Sequence, residues 1–214
     1  TTTVAGREVI LRQETNYPWE GGIQITVTPD ETAGFALRLR LPGWLNDPLP
    51  GDLYDYLPGS PPKVRLAVNG HPIDPQPSPD GYVVLDREWK AGDTVALGFP
   101  MPVRRVVSNE KVESNRGRIA IERGPVVYCA EGADHGGKVL DLFLPDQTEL
   151  IPEHRPDLLG GVTVLKGTAK RAHRAGSPAS RPAPLTMIPY HAWCHRGANE
   201  MAVWLPRTLE RATD

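Results

Sequence analysis

The sequence predicts an all-β protein made of two antiparallel β-sandwich domains in series, residues 1-104 and 105-214. Apolar residues recur at every second position in several short runs, which is the spacing of a strand with one buried face. Turn-forming residues separate these runs at short intervals, as in sandwiches and barrels. The chain also has 21 Gly and 23 Pro among 214 residues. Because Pro inside a helix costs about 3 kcal/mol, long helices are not expected.

The first domain is predicted from four alternating runs, each followed or preceded by turn residues. The runs are residues 23–27, 35–39, 64–68 and 95–99. Asn69-Gly70 follows the third run and is a strong hairpin signal, and Asp80-Gly81 precedes another apolar stretch. This pattern is typical of antiparallel sheets that bury one face.

The second domain is predicted from further short strands beyond a boundary near residues 102–107. The candidate strands are residues 118–122, 125–130, 138–144, 162–166, 187–193 and 201–205. Residues 103–116 lack Pro and contain no Gly, so a short helix there remains an alternative. Two stretches rich in turn residues, 46–62 and 167–184, are predicted loops.

The charge balance disfavours two classes of partner, nucleic acid and membrane. The chain has 24 basic and 26 acidic residues, for a formal net charge of −2, so it carries no bulk positive field for polyanions. No apolar run approaches the roughly 20 residues that span a bilayer. The N-terminal residues lack the order of a signal peptide, which leaves the compartment open with the cytoplasm favoured. The absence of an initiating Met indicates a processed product, a fragment or a recombinant piece.

The two cysteines, Cys129 and Cys194, are too few for a disulfide scaffold. Both lie in predicted strands, and free Cys is among the most buried residue types. Two buried free thiols are therefore the favoured interpretation, with one disulfide or one reactive thiol as alternatives.

The densest group of reactive side chains is residues 190–195, Tyr-His-Ala-Trp-Cys-His, with Glu200 nearby. One interpretation is a zinc or Cys/His catalytic site, because zinc takes three or four such ligands. On a strand, however, His191 and His195 would share one face and Cys194 would point to the other. We therefore favour the end of a strand at a sheet edge and predict no metal site.

Paired carboxylates are a second kind of catalytic candidate, since many glycosidases use two that lie about 5–10 Å apart. Glu110, Glu113, Glu122 and Glu131 could supply such a pair. In a chain with 26 acidic residues, solvated strand faces and hairpin ends are the favoured explanation of these four. We therefore predict no catalytic residue in this chain.

Aromatic residues beside turns are the remaining candidates for binding. Tyr17, Trp19 and Trp44 flank Gly- and Pro-containing turns, and an exposed aromatic ring can stack on the apolar C–H face of a sugar. Core packing is the favoured interpretation of these residues, and carbohydrate contact by all three is the alternative hypothesis.

Four stretches, in matching order, resemble the C-terminal part of glycoside hydrolase family 127, the β-L-arabinofuranosidase family. They are residues 14–21 (ETNYPWEG), 39–44 (LRLPGW), 115–128 (NRGRIAIERGPVVY) and 188–193 (IPYHAW). The resemblance runs from about residue 7 to residue 206, and the third stretch is the most specific.

The resemblance implies that an N-terminal (α/α)6 barrel carries catalysis in such proteins and that β-sandwich domains follow it. In the family the barrel holds a cysteine nucleophile beside a zinc ion bound by cysteines and a glutamate. This sequence has no adjacent Cys pair and no Glu-x-Cys, so none of those positions transfers to it. Zinc is expected in the barrel and no cofactor in this chain. Cys194 stands where the family suggests a small residue, which again favours a buried thiol.

The resemblance therefore implies a non-catalytic part of a retaining, zinc-assisted β-L-arabinofuranosidase, which supports the barrel on the same or a separate chain. One alternative is a carbohydrate-binding module that uses Tyr17, Trp19 and Trp44. Another is a structural or oligomerising unit, including a homodimer. The sugar, its linkage and the oligomeric state are left open.

Overall fold

The computed structural model describes residues 1–4, 6–45, 49, 51–59, 62–173 and 179–213. The strands of the first half are β1 (Thr2–Val4), β2 (Arg7–Thr15), β3 (Gly22–Pro29), β4 (Ala33–Arg40), β5 (Tyr54–Tyr56), β6 (Arg65–Val68), β7 (His71–Ile73), β8 (Tyr82–Trp89) and β9 (Asp93–Gly98). Those of the second half are β10 (Val103–Ser108), β11 (Arg118–Arg123), β12 (Val126–Glu131), β13 (Leu142–Phe143), β14 (Ile151–Arg155), β15 (Val162–His173), β16 (Ala179–Pro189), β17 (Met201–Ala202) and β18 (Leu205–Pro206). The predicted all-β class is confirmed.

The helices and 3-10 turns among the described residues are all short. The 3-10 turns are Gly43–Leu45, Glu113–Asn115, Gly132–Asp134 and Tyr190–Ala192, and the α-helix α1 is Leu209–Thr213. None of the described helices is long and apolar enough to span a membrane.

The chain forms two compact units. The first unit comprises residues 1–47 and 60–102, and the second comprises residues 48–59 and 103–214. Sequence analysis placed the division after residue 104. Residues 48–59 join the second unit because β5 pairs with β10.

The first unit has two antiparallel sheets that share one core. Its larger sheet has six strands in the order β1-β2-β3-β9-β6-β7, and its smaller sheet pairs β4 with β8. Val27 and Val95 of the larger sheet pack in the same buried cluster as Leu39, Leu85 and Trp89 of the smaller one. All four predicted alternating runs lie in or overlap strands, namely β3, β4, β6 and β9, which confirms that period two marks one buried face.

The second unit is built on ten antiparallel strands that are connected by hydrogen bonds into one sheet. The main order is β13-β15-β16-β12-β11-β10-β5, while β14, β17 and β18 pair with β15, β12 and β11. Its largest fully buried apolar side chains are Ile119, Ile121, Tyr128, Leu142, Leu144, Leu165, Leu185, Met187, Ile188 and Leu205.

Of the two predicted loops, the first is confirmed over most of its described residues and the second was wrong. Residues 54–56 of the first form β5, and its residues 46–48, 50, 60 and 61 lie outside the described residues. Most of the second, residues 167–184, belongs to the β15–β16 hairpin, while residues 174–178 lie outside the described residues. Pro182 and Pro184 suggested a loop. They lie in a part of β16 whose second edge has no described partner strand, since β12 pairs only with residues 187–189. A missing N–H is tolerated at such an edge.

Three further local predictions also need correction. Residues 103–116 form β10 and a 3-10 turn rather than an α-helix. Within residues 138–144, only Leu142–Phe143 is a strand. The strand predicted at 187–193 ends at Pro189, and Tyr190–Ala192 forms a 3-10 turn.

Candidate functional site

Tyr17 and Trp44, two of the predicted carbohydrate contacts, lie together at the edge of the first unit's core. The indole Nε1–H of Trp44 donates a hydrogen bond to the Tyr17 hydroxyl at 2.9 Å. Both rings meet Phe99 edge-on, with centroid distances of 6.4 and 6.1 Å. Both are partly buried and pack against the buried cluster. The Trp44 indole N–H and the Tyr17 hydroxyl are therefore hydrogen-bonded to each other, and each of the two rings also contacts Phe99.

Trp19 lies two residues after Tyr17 and is also partly buried. Its backbone N–H donates to the Asn16 carbonyl oxygen at 2.8 Å, and this hydrogen bond closes the turn. At the end of this turn the Gly21 backbone packs directly on Phe99, because a Cβ at Gly21 would lie 1.8 Å from the Phe99 carbonyl oxygen. The segment is fixed by packing, and carbohydrate contact by these three aromatic residues stays a prediction.

A second aromatic pair, which sequence analysis did not single out for binding, lies in the second unit. Tyr190 and Trp193 are 47% and 36% exposed as whole residues. Their rings are nearly parallel, at an interplanar angle of 5° and a centroid distance of 6.4 Å. In a 3-10 turn, residues three apart lie one above the other. The spacing of these two rings was the available signal, but the segment was assigned to a strand.

The end of β12 carries a buried carboxylate that is bound on several sides. Glu131 is 0% exposed. One carboxylate oxygen accepts from the Cys194 N–H and the Asn199 amide, each at 3.2 Å. The other accepts from Arg196, with 3.0 Å to Nε and a shorter contact to a terminal nitrogen. Arg196 also donates to both oxygens of Asp134. These contacts, first those with Asp134, raise the pKa of Arg196.

A histidine connects the same region to β16. The Nδ1–H of His135 donates to the Glu131 carbonyl oxygen at 2.7 Å, and its Nε2 accepts the Thr186 N–H at 3.2 Å. Both ring nitrogens of His135 are therefore hydrogen-bonded. The Glu131 carboxylate in turn joins β12 to the segment that follows Tyr190–Ala192. This arrangement is that of a structural anchor rather than of a catalytic acid or base.

The other three candidate carboxylates have different surroundings, and none of them takes part in the Glu131 network. Glu110 forms an ion pair with Arg116 at 3.4 Å, and Glu113 is exposed in its 3-10 turn. Glu122 accepts a hydrogen bond from the Tyr56 hydroxyl, and burial raises the pKa of Glu122.

Residues 190–195, the alternative zinc site, do not lie on a strand. The prediction that Cys194 points away from His191 and His195 assumed a strand, and that assumption was wrong. His195 contacts the Ala192 carbonyl oxygen through Nδ1 at 3.2 Å. Within the described ranges, no three His, Cys, Asp or Glu side chains converge as metal ligands.

The two thiols are free, and they differ in exposure. Cys129 is buried in β12, as predicted. The prediction that Cys194 is buried was wrong, because it is exposed. Its φ is +69°, a region that L-residues seldom adopt, and its N–H is held by Glu131. This backbone conformation explains why a small side chain suits the position.

We expect thiol reagents to distinguish the two cysteines. Burial raises the pKa of Cys129 to about 12, and the thiolate is the reactive form. A chromogenic disulfide reagent should therefore label one thiol in the native chain and two in guanidinium chloride. The Cys194→Ser variant should show no labelling until it unfolds. Rapid labelling of both thiols in the native chain would contradict the assignment.

Comparisons with known proteins point to one family along nearly the whole chain. Residues 1–101 match the family model described as beta-L-arabinofuranosidase, GH127 middle domain. Residues 103–206 match the model described as glycoside hydrolase family 127 C-terminal domain. The two matches follow each other without overlap.

Individual relatives agree with these matches. A non-reducing end beta-L-arabinofuranosidase of Bifidobacterium longum subsp. longum is 34% identical over 216 residues, which cover 92% of this chain and 30% of the relative. The solved structure of a GH127 beta-arabinofuranosidase is 39% identical, with a TM-score of 0.89, over 99% of this chain and 33% of that one. A GH127 beta-L-arabinofuranosidase from Geobacillus stearothermophilus T6 is 38% identical, with a TM-score of 0.82, over 96% and 31%. The chain spans about a third of the length of these relatives.

Proposed function

Because this chain belongs to glycoside hydrolase family 127, we propose that it is the non-catalytic β-sandwich part of a β-L-arabinofuranosidase and that it supports a separate catalytic domain. The proposal rests on the match of this chain to the middle and C-terminal domain models. The relatives are about three times as long as this chain, which leaves room for a separate catalytic domain. The catalytic domain belongs to the remaining two thirds of such proteins.

The zinc ion and the cysteine nucleophile belong to that catalytic domain in this proposal. The buried Glu131 carboxylate is saturated by donors, and Cys129 is buried with a raised pKa. Neither group is suited to act on a substrate. The role of this chain is then to stabilise and position the domain that does.

Strand β2 leaves apolar side chains exposed on both of its faces, and a neighbouring domain could cover either face. Only Val9 of its nine residues is buried. The adjacent residues Ile10 and Leu11 are both exposed, and adjacent strand residues point to opposite faces. Strand β1 pairs only with Arg7–Val9, so residues 10–15 have no described partner on that edge. Covering such apolar surface stabilises by about 25 cal/mol per Å².

The non-catalytic assignment predicts that the purified 214-residue chain does not hydrolyse an aryl β-L-arabinofuranoside above the buffer rate, with or without added Zn²⁺. The Bifidobacterium relative serves as the positive control in the same assay. Hydrolysis that rises in proportion to the chain concentration and co-elutes with the chain would overturn the proposal.

A further inference from the structure

The second unit contains an open cleft of about 780 Å³ that has no part in the proposal above. It lies between the paired ends of β15 and β16, the segment 135–141 and Glu200. Its volume is within the range of about 300–1,000 Å³ found for small-molecule sites, so one or two sugar rings would fit.

One wall of the cleft is fixed by a guanidinium group that four oxygen atoms bind. Arg171 donates to the two carboxylate oxygens of Asp141 at 2.5 and 2.7 Å. It also donates to the carbonyl oxygens of His135 and Lys138 at 3.3 and 3.2 Å. This wall is therefore preorganised, and ligand binding would not have to order it.

A second carboxylate fixes the adjoining backbone. One oxygen of Glu200 accepts the N–H groups of Val139 and Leu140 at 2.9 and 3.2 Å. These backbone donors, Val139 first, lower the pKa of Glu200. Both carboxylates in the cleft are thus bound by neighbouring groups, Asp141 by Arg171 and Glu200 by the backbone.

The positive charges in the cleft are only partly balanced. Arg171 and Arg181 are direct cross-strand partners, and like charges in this position destabilise a sheet. Asp141 offsets Arg171. Arg181 is exposed and has no ion-pair partner among the described residues. Lys138 and His173 also line the cleft, so an anion placed there would lie near further hydrogen-bond donors.

We propose that this cleft binds a sugar that carries a carboxylate, such as a uronic acid residue of a glycan. A free guanidinium group pairs with a carboxylate through two parallel hydrogen bonds, which Arg181 can offer. Leu140, which is 60% exposed, provides an apolar surface for the C–H face of a sugar ring. The choice of a glycan as the ligand rests on the proposed function. The preference for an anionic ligand rests on the charges that line the cleft alone.

The test is calorimetric titration of the 214-residue chain with digalacturonate, compared with a neutral disaccharide, inorganic phosphate and a short Asp/Glu peptide. We expect digalacturonate to bind most tightly and to bind more weakly at high salt, because screening acts over about 10 Å at 0.1 M. Arg181→Gln should weaken binding about tenfold, as expected for the loss of a charge-assisted hydrogen bond.

The matched control is Lys170→Gln on the same hairpin. Lys170 is exposed and does not line the cleft, and as a neighbour of Arg171 it points to the other face of β15. Its loss should leave the affinity unchanged. Equal binding of the neutral sugar, or an unchanged affinity in Arg181→Gln, would overturn the proposal. Phosphate or the peptide binding as tightly as digalacturonate would overturn it in favour of a general anion site or a protein partner. The titration involves no hydrolysis, so its failure is distinct from failure of the proposed function.

Discussion

The Glu131→Ala variant is expected to lose about 3–5 kcal/mol of the free energy of unfolding of the second unit, as for other broken buried ion pairs. The substitution removes a fully buried carboxylate that accepts hydrogen bonds from Arg196, Asn199 and the Cys194 backbone. Arg196 keeps Asp134 as a partner, but the Asn199 amide and the Cys194 N–H lose the acceptor that Glu131 provides. Urea unfolding followed by circular dichroism measures the change.

Two variants make this measurement specific to the network. Glu131→Gln keeps the shape of the side chain and removes its charge, so we expect a smaller loss than for alanine. Glu113→Ala removes an exposed carboxylate of the same unit and should change stability by no more than about 0.5 kcal/mol. If Glu131→Ala proved as stable as Glu113→Ala, the carboxylate would not anchor the segment after β16.

The Trp89→Ala variant is expected to destabilise the first unit by about 3–5 kcal/mol, the usual range for a fully buried tryptophan. Trp89 is 0% exposed. Its ring stacks on Phe35 at a centroid distance of 6.0 Å, and its Nε1–H donates to the Phe35 carbonyl oxygen at 2.9 Å. Differential scanning calorimetry should show a lower unfolding temperature.

Trp89→Phe is the matched control for this site. It retains an aromatic ring in the core and loses the indole hydrogen bond together with part of the volume. We expect roughly 1–2 kcal/mol of destabilisation from that hydrogen bond and the residual cavity. An effect of Trp89→Ala no larger than that of Trp89→Phe would argue against tight packing between the two sheets.

The strands of the first unit were predictable because a single physical property, burial of one face, determines both the sequence and the structure. Residues 23–27 alternate in the sequence and lie in β3 with alternating burial. The part of the β15–β16 hairpin within residues 167–184 was predicted as a loop because its composition is that of a loop. Its small buried residues, Ala169, Ala172 and Ala183, carry little hydrophobic signal, and its prolines occupy an edge.

The features of the second unit that bear on function depended on contacts between distant residues. The Glu131 network joins residues more than sixty positions apart, and no local pattern reports such a contact. Cys194 was expected to be buried because its segment was assigned to a strand. A short turn with a positive φ places it in solvent instead.

The measurement that most directly tests the central claim uses the longer Bifidobacterium relative. Its region aligned with this chain is deleted in one variant and replaced by this chain in another. The thermal unfolding of the catalytic domain and kcat/KM on a β-L-arabinofuranoside are then compared with those of the intact relative. We predict that deletion lowers both values and that the replacement restores them, in whole or in part. A deletion variant that kept the unfolding temperature and kcat/KM of the intact relative would contradict the claim that these β-sandwich domains support the catalytic domain.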